Sequence, residues 1–385
     1  MSSVDVVIPC YNYAHFLGRC VSSVLAQTGV DVRILIIDDA SSDNSEEVGT
    51  ELAKASSCIT FRRSPKNKGL IPTANEGIMD WATAKYCLLL SADDALTEGA
   101  LGRAAKVMDD HDDVGMTYGM SYVISDDLGT IEPPHSDTFR YRIVPGPQFL
   151  RQVCEHWQGV PTPTAVVRTD LQHRIGGYHP ALRQTSDAEM WMRIATQGPI
   201  AAIHTPQGYY RWHGANMSSA YTGRALSDLD EQYKTIQEVY ATWGANIEGF
   251  SSWIEIAKLR LARQAYWMAG LAIERGDLAG AASCFNFAKE VCSSPWLMPS
   301  WWKAHIKKMA GPNRIGEIKR WLGQRSPSHI ASFAPFNPGK IFGWWPEASE
   351  FSASMSSREG PESRSSTLYP EQRRVDPAAA KQVPC

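Results

Sequence analysis

Over the first 95 positions two kinds of apolar block alternate. Val4–Ile8, Val32–Ile37, Ile59–Arg62 and Tyr86–Leu90 are short β-branched or aliphatic runs, and they read as strands. The nearly unbroken Val32–Ile37 suits a parallel strand covered on both faces. Between the runs the period lengthens. Phe16, Leu17, Cys20, Val21, Val24 and Leu25 repeat at helical spacing within 14–27, and 72–84 reads as a further helix. Ser42-Asp43-Asn44-Ser45 offers N-cap chemistry, with Glu46-Glu47 suited to a first turn. The order βαβαβαβ predicts an α/β fold with a doubly wound, mostly parallel sheet.

Beyond residue 114 the pattern becomes irregular. Met116–Tyr118 and Ser121–Ile124 are β-like, a helix falls within 143–159, and Thr164–Val167 is a strand. Ser186–Gln197 is a helix, with Met190, Ile194 and Ala195 on one face. Ala201–Ile203 and Tyr209–Trp212 are expected as two separate strands. Past about 220 the chain turns helical, over 226–243, 254–275 and 278–292. Gly276-Asp277 marks the turn of an αα-hairpin. One hairpin resembles a tetratricopeptide unit, but a stacked array needs about three repeats, so an ordinary helical appendage is expected. The expected division is 1–220 for the α/β domain, 221–325 for a helical C-terminal region, and 326–385 for an irregular segment. From about 352 that segment is rich in Ser, Glu, Arg and Pro and is expected to be disordered.

Composition excludes some classes. The 385 residues carry 43% hydrophobic and 21% charged side chains and a net charge of -3, so no basic field points to nucleic acid. None of the eight cysteines forms a CxxC pair or a zinc-like cluster with histidine. No basic segment leads into a long apolar stretch at the start, and no window reaches eighteen apolar residues. A cytoplasmic protein is the expectation. One stretch departs from the background: Trp296, Trp301, Trp302, Trp321, Trp344 and Trp345 occur with Lys303, Lys307, Lys308, Lys319 and Arg320. Packing onto the helical hairpin is the favoured reading. Peripheral contact with an anionic membrane at its inner face is the alternative.

Polar clusters follow three strand ends: Tyr11-Asn12, Asp38-Asp39 and Asp93-Asp94. One such pair is usually a turn. Three at the carboxyl edge of one sheet point to a ligand site. Tyr11 can lie against a base, and Asn12 and Asp39 can hydrogen-bond its edge. Asp93 and Asp94 can hold a hard divalent cation against a diphosphate. No GxGxxG follows the first strand and no GxxxxGK[ST] loop exists, which argues against a dinucleotide oxidoreductase and against a P-loop NTPase.

These motifs, in this order, resemble inverting family 2 glycosyltransferases of the GT-A fold. Val7-Ile8-Pro9-Cys10-Tyr11-Asn12 looks like the family opening, and Asp38-Asp39-Ala40-Ser41-Ser42-Asp43 like its acidic loop. Asn67-Lys68-Gly69 and Asn75-Glu76-Gly77 resemble its Asn-x-Gly segments, and Leu90–Asp94 its metal-binding DxD region. Gly176-Gly177-Tyr178 with Ser186–Arg193 looks like its acceptor-side motif, and Tyr210–His213 like a late family element. The resemblance covers roughly residues 4–218. It implies a nucleotide-sugar donor, a UDP-sugar in the commonest case, bound by Pro9, Tyr11, Asn12, Asp38, Asp39, Asn67, Gly69, Asn75 and Asp93. It implies Mg²⁺ or Mn²⁺ at Asp93 and Asp94 with help from His213, and Asp187 as the base that deprotonates the acceptor hydroxyl, with inversion. A hexosyl or related group would pass to a glycan or lipid-linked acceptor in cell-surface polysaccharide synthesis. Ser91 and Ser186 stand where many members carry Asp and Glu, so a non-catalytic nucleotide-sugar-binding or scaffolding protein is the alternative.

Overall fold

The computed structural model describes residues 1–125, 139–157, 159–213, 216, 225–321, 341–346 and 358–359. The expected disordered tail therefore lies almost wholly outside the described residues. The chain opens with β1 (Ser2–Cys10), α1 (Ala14–Leu25), β2 (Val30–Asp38), α2 (Ser45–Ala55), β3 (Ile59–Arg63) and α3 (Leu70–Asn75), which runs on into a π-helical turn, Glu76–Trp81. It continues through β4 (Tyr86–Leu89), β5 (Ala95–Leu96), α4 (Ala100–Asp110), β6 (Met116–Ile124), β7 (Tyr141–Val144), α5 (Gly146–His156), β8 (Val166–Arg168), α6 (Thr169–Ile175), α7 (Ser186–Ala195) and β9 (Ile200–Arg211). The helical part comprises α8 (Ala225–Val239), α9 (Phe250–Glu274), α10 (Leu278–Val291) and α11 (Pro299–Trp321). Two short strands, β10 (Ile341–Phe342) and β11 (Arg358–Glu359), return to the sheet.

The strands join in one sheet of order β11-β7-β9-β6-β8-β4-β1-β2-β3. β3, β2, β1 and β4 are mutually parallel, as the βα alternation requires, and β6 and β9 are parallel to each other. β8 is inserted antiparallel between β4 and β6. The unbroken apolar runs follow from burial on both faces: Ile34, Leu35, Ile36 and Ile37 are all fully buried. Val6, Ile8, Ile34 and Ile36 face a cluster with α1 and α4, whereas Val7, Leu35 and Ile37 face α3, α5 and α7.

β9 departs from the sequence expectation. The two strands expected at 201–203 and 209–212 are one strand of 12 residues. Its pairing with β6 shifts register between Gly119, opposite Ile203, and Ser121, opposite Gly208, so the residues 204–207 bulge from the ladder. Pro206 cannot donate to a ladder, and a bulge is where a strand tolerates it. The apparent break between two strands is that bulge.

The helical part does not stand apart from the sheet. Ile236, Val239, Phe250, Ile254 and Ala257 share a core with Phe149 of α5 and Met190 of α7. A second cluster binds α9, α10 and α11 around Tyr266, Phe285 and Ala304. In the αα-hairpin Gly276 adopts φ 78°, and the Asp277 carboxylate accepts the Gly280 N–H at 2.8 Å. These are an αL C-terminus and an Asp N-cap placed back to back.

Candidate active site

The carboxyl ends of β1 and β2 are bound together first. Asn12, at φ 60°, accepts the Ser42 N–H at 2.8 Å through its Oδ1, and its own N–H donates to Ser41 Oγ at 2.9 Å. Asn is among the few residues that adopt this backbone conformation readily. Pro9 is buried within β1, and Tyr11 projects beside the strand end with 47% exposure. Asp39 lies at the same rim. Its carboxylate accepts the N–H groups of Lys68 at 3.0 Å and Gly69 at 2.8 Å, and Asn67 Oδ1 also accepts from Gly69 N–H at 3.1 Å. Gly69 needs its glycine, because its φ is 88°. Asp39, Asn67 and Gly69 thus form one local structure beside Tyr11.

Two expected nucleotide contacts are engaged elsewhere. Asp38 is 0% exposed, accepts the Ser41 N–H at 3.1 Å, and pairs with Arg63. Its work is to close the loop beneath Asp39, because a buried carboxylate needs a cationic partner. Asn75 spends its amide on the loop of Gly176-Gly177-Tyr178: Nδ2 donates to Tyr178 O at 2.8 Å and Oδ1 accepts from Tyr178 N–H at 2.7 Å. Asn75→Ala is expected to leave both backbone groups of Tyr178 unpaired and to cost about 1–3 kcal/mol, read by chemical denaturation. Gly177→Ala should damage the same joint, because a Cβ there would sit 2.5 Å from Asn75 Oδ1.

The acidic pair after β4 is placed by strand pairing. Ala95 of β5 lies opposite Tyr209 of β9, antiparallel, so Asp93 and Asp94 meet the residues that end β9. Arg211 N–H donates to Asp94 Oδ1 at 2.9 Å, and Arg211 Nε donates to Asp93 O at 2.9 Å. His213 Nε2 lies 3.1 Å from Asp93 Oδ2, and Asn216 Nδ2 lies 3.4 Å from the same oxygen. Tyr13 packs edge-on to the His213 ring at 5.5 Å, and the Arg211 guanidinium covers Phe16 at 4.6 Å. Burial, and then the Asp93 charge, push the Asp94 carboxyl well above the ordinary carboxylate range, against the pull of Arg211. Burial followed by the two aspartates likewise raises the Tyr13 hydroxyl.

Two adjoining buried carboxylates repel, and a divalent cation relieves that repulsion. Among the described residues no three His, Cys, Asp or Glu side chains gather into a complete metal cage. A cation that takes most of its ligands from a diphosphate and water needs only one or two protein carboxylates. The oxygen donors of Asp93 and Asp94 fit that demand, with the His213 imidazole beside them.

Asp187 begins the first turn of α7. Its Oδ1 accepts the Ala188 N–H at 2.7 Å, and its Oδ2 accepts from Thr162 Oγ1 at 3.0 Å. Thr162 belongs to a 3-10 turn, Thr162–Thr164, that packs against β5, β6 and β9. Thr164 fixes the turn to β6, accepting the Gly119 N–H at 3.2 Å. One turn of chain therefore touches both Asp187 and the short strand that directly follows Asp94. Burial raises the Asp187 carboxyl above its ordinary value, partly offset by its two hydrogen bonds. Glu189, two residues on, is turned into the fold and pairs with Arg193 at 2.6 Å. Arg193 also donates to Ile175 O at 2.6 Å and Gly177 O at 2.8 Å, so this pair and Asn75 both hold the Gly-Gly-Tyr loop.

Sequence reasoning missed the residues that hold the site. Thr162 carries no motif signal. Glu231 of α8 accepts the Thr185 N–H at 3.0 Å at the start of α7, and nothing in its local sequence points there. Asn216 could have been suspected only from its place three residues after His213.

Comparison with known proteins fits this geometry. A family model described as glycosyl transferase family 2 matches residues 5–175, from β1 to the end of α6. An uncharacterized glycosyltransferase of Nostoc sp. is 30% identical over 227 residues, covering 56% of this chain and 67% of that protein. The hyaluronan synthase of Pasteurella multocida is 35% identical over 221 residues, covering 56% of this chain but 21% of that longer protein. The poly(ribitol-phosphate) β-N-acetylglucosaminyltransferase TarP of Staphylococcus aureus is 35% identical over 103 residues, 26% of this chain and 31% of that protein. With a sheet wound in this order, acidic residues at its rim, and a relative of this identity over two thirds of its length, the chain belongs to glycosyltransferase family 2 and has the GT-A fold.

Proposed function

We propose that this glycosyltransferase moves a sugar from a nucleotide-sugar donor, a UDP-sugar, to an acceptor hydroxyl with inversion at the anomeric carbon. The observation that carries the reading is the junction of β5 and β9, where Asp93, Asp94, Arg211 and His213 converge, linked through Thr162–Thr164 to Asp187. Tyr11 offers a flat exposed face for the base. Asp39, whose carboxylate is fixed by two backbone N–H groups, accepts from a ring N–H such as that of uracil. Arg211 and His213 lie beside the acidic pair, where the diphosphate would rest. A Mg²⁺ or Mn²⁺ ion held by Asp93 and Asp94 would supply charge neutralisation to the departing nucleoside diphosphate.

Asp187 takes the proton of the acceptor hydroxyl as the oxygen attacks the anomeric carbon. The bond from that carbon to the diphosphate oxygen breaks, and its electron pair leaves with the nucleotide. Attack opposite the leaving group inverts the centre. A carboxyl raised by burial is the stronger base once ionised. The family match ends at residue 175, so the parts assigned to Asp187 and His213 rest on the motif resemblance together with the contacts described above. We also assign 1–220 to the catalytic domain and 221–325 to a helical region that braces α7. Two relatives are named for making or modifying a polymer, which supports a glycan or other polymeric acceptor.

The test is a panel of UDP- and GDP-sugars with Mn²⁺ and candidate glycan acceptors, followed by NMR of the product. An α-linked donor should yield a β-linked product. A product of retained configuration rules out the single displacement, and folded chain that turns over no donor rules out the enzyme reading.

A further inference from the structure

The tryptophans of the C-terminal helices divide into two sets. Trp344 is buried against Phe149, and Trp301 stacks on His305 at 4.0 Å within the helical core. These behave as the packing expectation had it. Trp296 and Trp302 do not. Each is 54% exposed, and they stand with Leu297 at 79%, Ile306 at 62% and Met309 at 86%. Residues 302, 306 and 309 are spaced i, i+4, i+7, so they form one stripe along α11. The Trp302 indole N–H donates to Trp296 O at 2.9 Å, which fixes the Trp296-Leu297 turn against the start of the stripe. With that hydrogen bond made inside the protein, the exposed ring face of Trp302 is apolar. Ala304, on the far side of the helix, is buried, so α11 is already packed and this stripe is the face left over.

Charge identifies the occupant. From 296 to 315 the chain has Lys303, Lys307, Lys308 and Arg314 and no acidic residue. Lys307 is paired with Glu274 at 2.6 Å. Lys303 is exposed on one flank of the stripe, whereas Lys308 lies toward the packed side of α11, its ammonium 5.0 Å from the centre of the buried Phe285 ring. This surface projects single large apolar side chains from a stretch whose charged residues are all basic. Exposed Trp, Leu, Ile and Met beside basic residues are the chemistry of a surface that lies on a bilayer.

We infer that Trp296, Leu297, Trp302, Ile306 and Met309 seat this chain on an anionic lipid surface, with Lys303 against the headgroups. The inference is independent of which donor the enzyme uses. It is tested with the full chain by co-sedimentation with vesicles of phosphatidylcholine, alone or with about 30% phosphatidylglycerol. Binding to the anionic vesicles should be at least about tenfold stronger than to the neutral ones, and should weaken as salt is raised. Leu297→Ser/Met309→Ser changes the two most exposed side chains of the patch and should reduce binding by about tenfold or more. Lys303→Glu should weaken the preference for anionic vesicles by about fivefold or more. Unchanged far-ultraviolet dichroism and unchanged UDP affinity in both variants keep the result separate from folding and from the proposed reaction. Folded chain that ignores anionic vesicles, or binding unmoved by both variants, overturns the inference. So does a dimer in solution that the serine variant dissociates, because the stripe would then be covered by a second copy.

Discussion

Asp187→Asn is expected to lower turnover about 10³-fold while changing donor affinity by less than about twofold. The amide preserves shape: its Oδ1 can still accept the Ala188 N–H, and its Nδ2 can donate to Thr162 Oγ1 in place of the bond it received, so α7 keeps its first turn. What it loses is the capacity to take a proton. The acid limb of the kcat/KM profile carries the same information. The base works only when ionised, so activity falls as pH drops through its pKa. Burial raises that pKa, which places the limb above the ordinary aspartate value of 3.8. Single-turnover rates and donor titrations on one preparation separate the two quantities. Turnover unaffected by the substitution would remove Asp187 from the chemistry.

Asp94→Asn should act in opposite directions on activity and stability. Asp94 is buried beside Asp93, and the Arg211 N–H at 2.9 Å is what holds one of its oxygens. In the metal-free chain the neutral amide removes a buried like-charge repulsion, and a gain of about 1 kcal/mol in unfolding free energy is expected. With the carboxylate gone the cation is held more weakly, and turnover in Mn²⁺ should fall by roughly 10²-fold or more. Denaturation in EDTA beside turnover in Mn²⁺ reads both. A variant that is less stable and fully active would mean that Asp94 is a structural residue and that the acidic rim has another purpose.

The two halves of this site differ in how far the sequence discloses them. Asp38-Asp39 and Asp93-Asp94 end apolar runs that could only be buried parallel strands, so their arrival at one sheet edge was legible. The division of labour within each pair was not. Asp38 meets Arg63 one strand away, and no local pattern announces that β3 ends beside β2 with a guanidinium in reach. Asn75 likewise shows an Asn-x-Gly pattern that resembles a donor contact, yet its partner lies 103 residues on. The β5–β9 pairing that carries Arg211 and His213 to the acidic pair depends on a strand of two residues and on a bulge at Pro206, and neither leaves a periodic signal. α4 (Ala100–Asp110) has a fully packed apolar side, yet its sequence marks it weakly, because small alanines outline a helix face less strongly than leucines do. Helices 225–291 were legible from their period, but their grip on α7 through Glu231 and Ile236 is a tertiary fact.

In the proposed reaction the Asp93–Asp94–His213 rim receives a nucleoside diphosphate together with a divalent cation. Calorimetric titration of UDP into the full chain, once in Mn²⁺ and once in EDTA, tests it most directly. UDP should bind at least about tenfold more tightly in Mn²⁺, and that gain should vanish in Asp94→Asn. Equal affinity with and without the cation, or a gain that survives the substitution, would contradict the account.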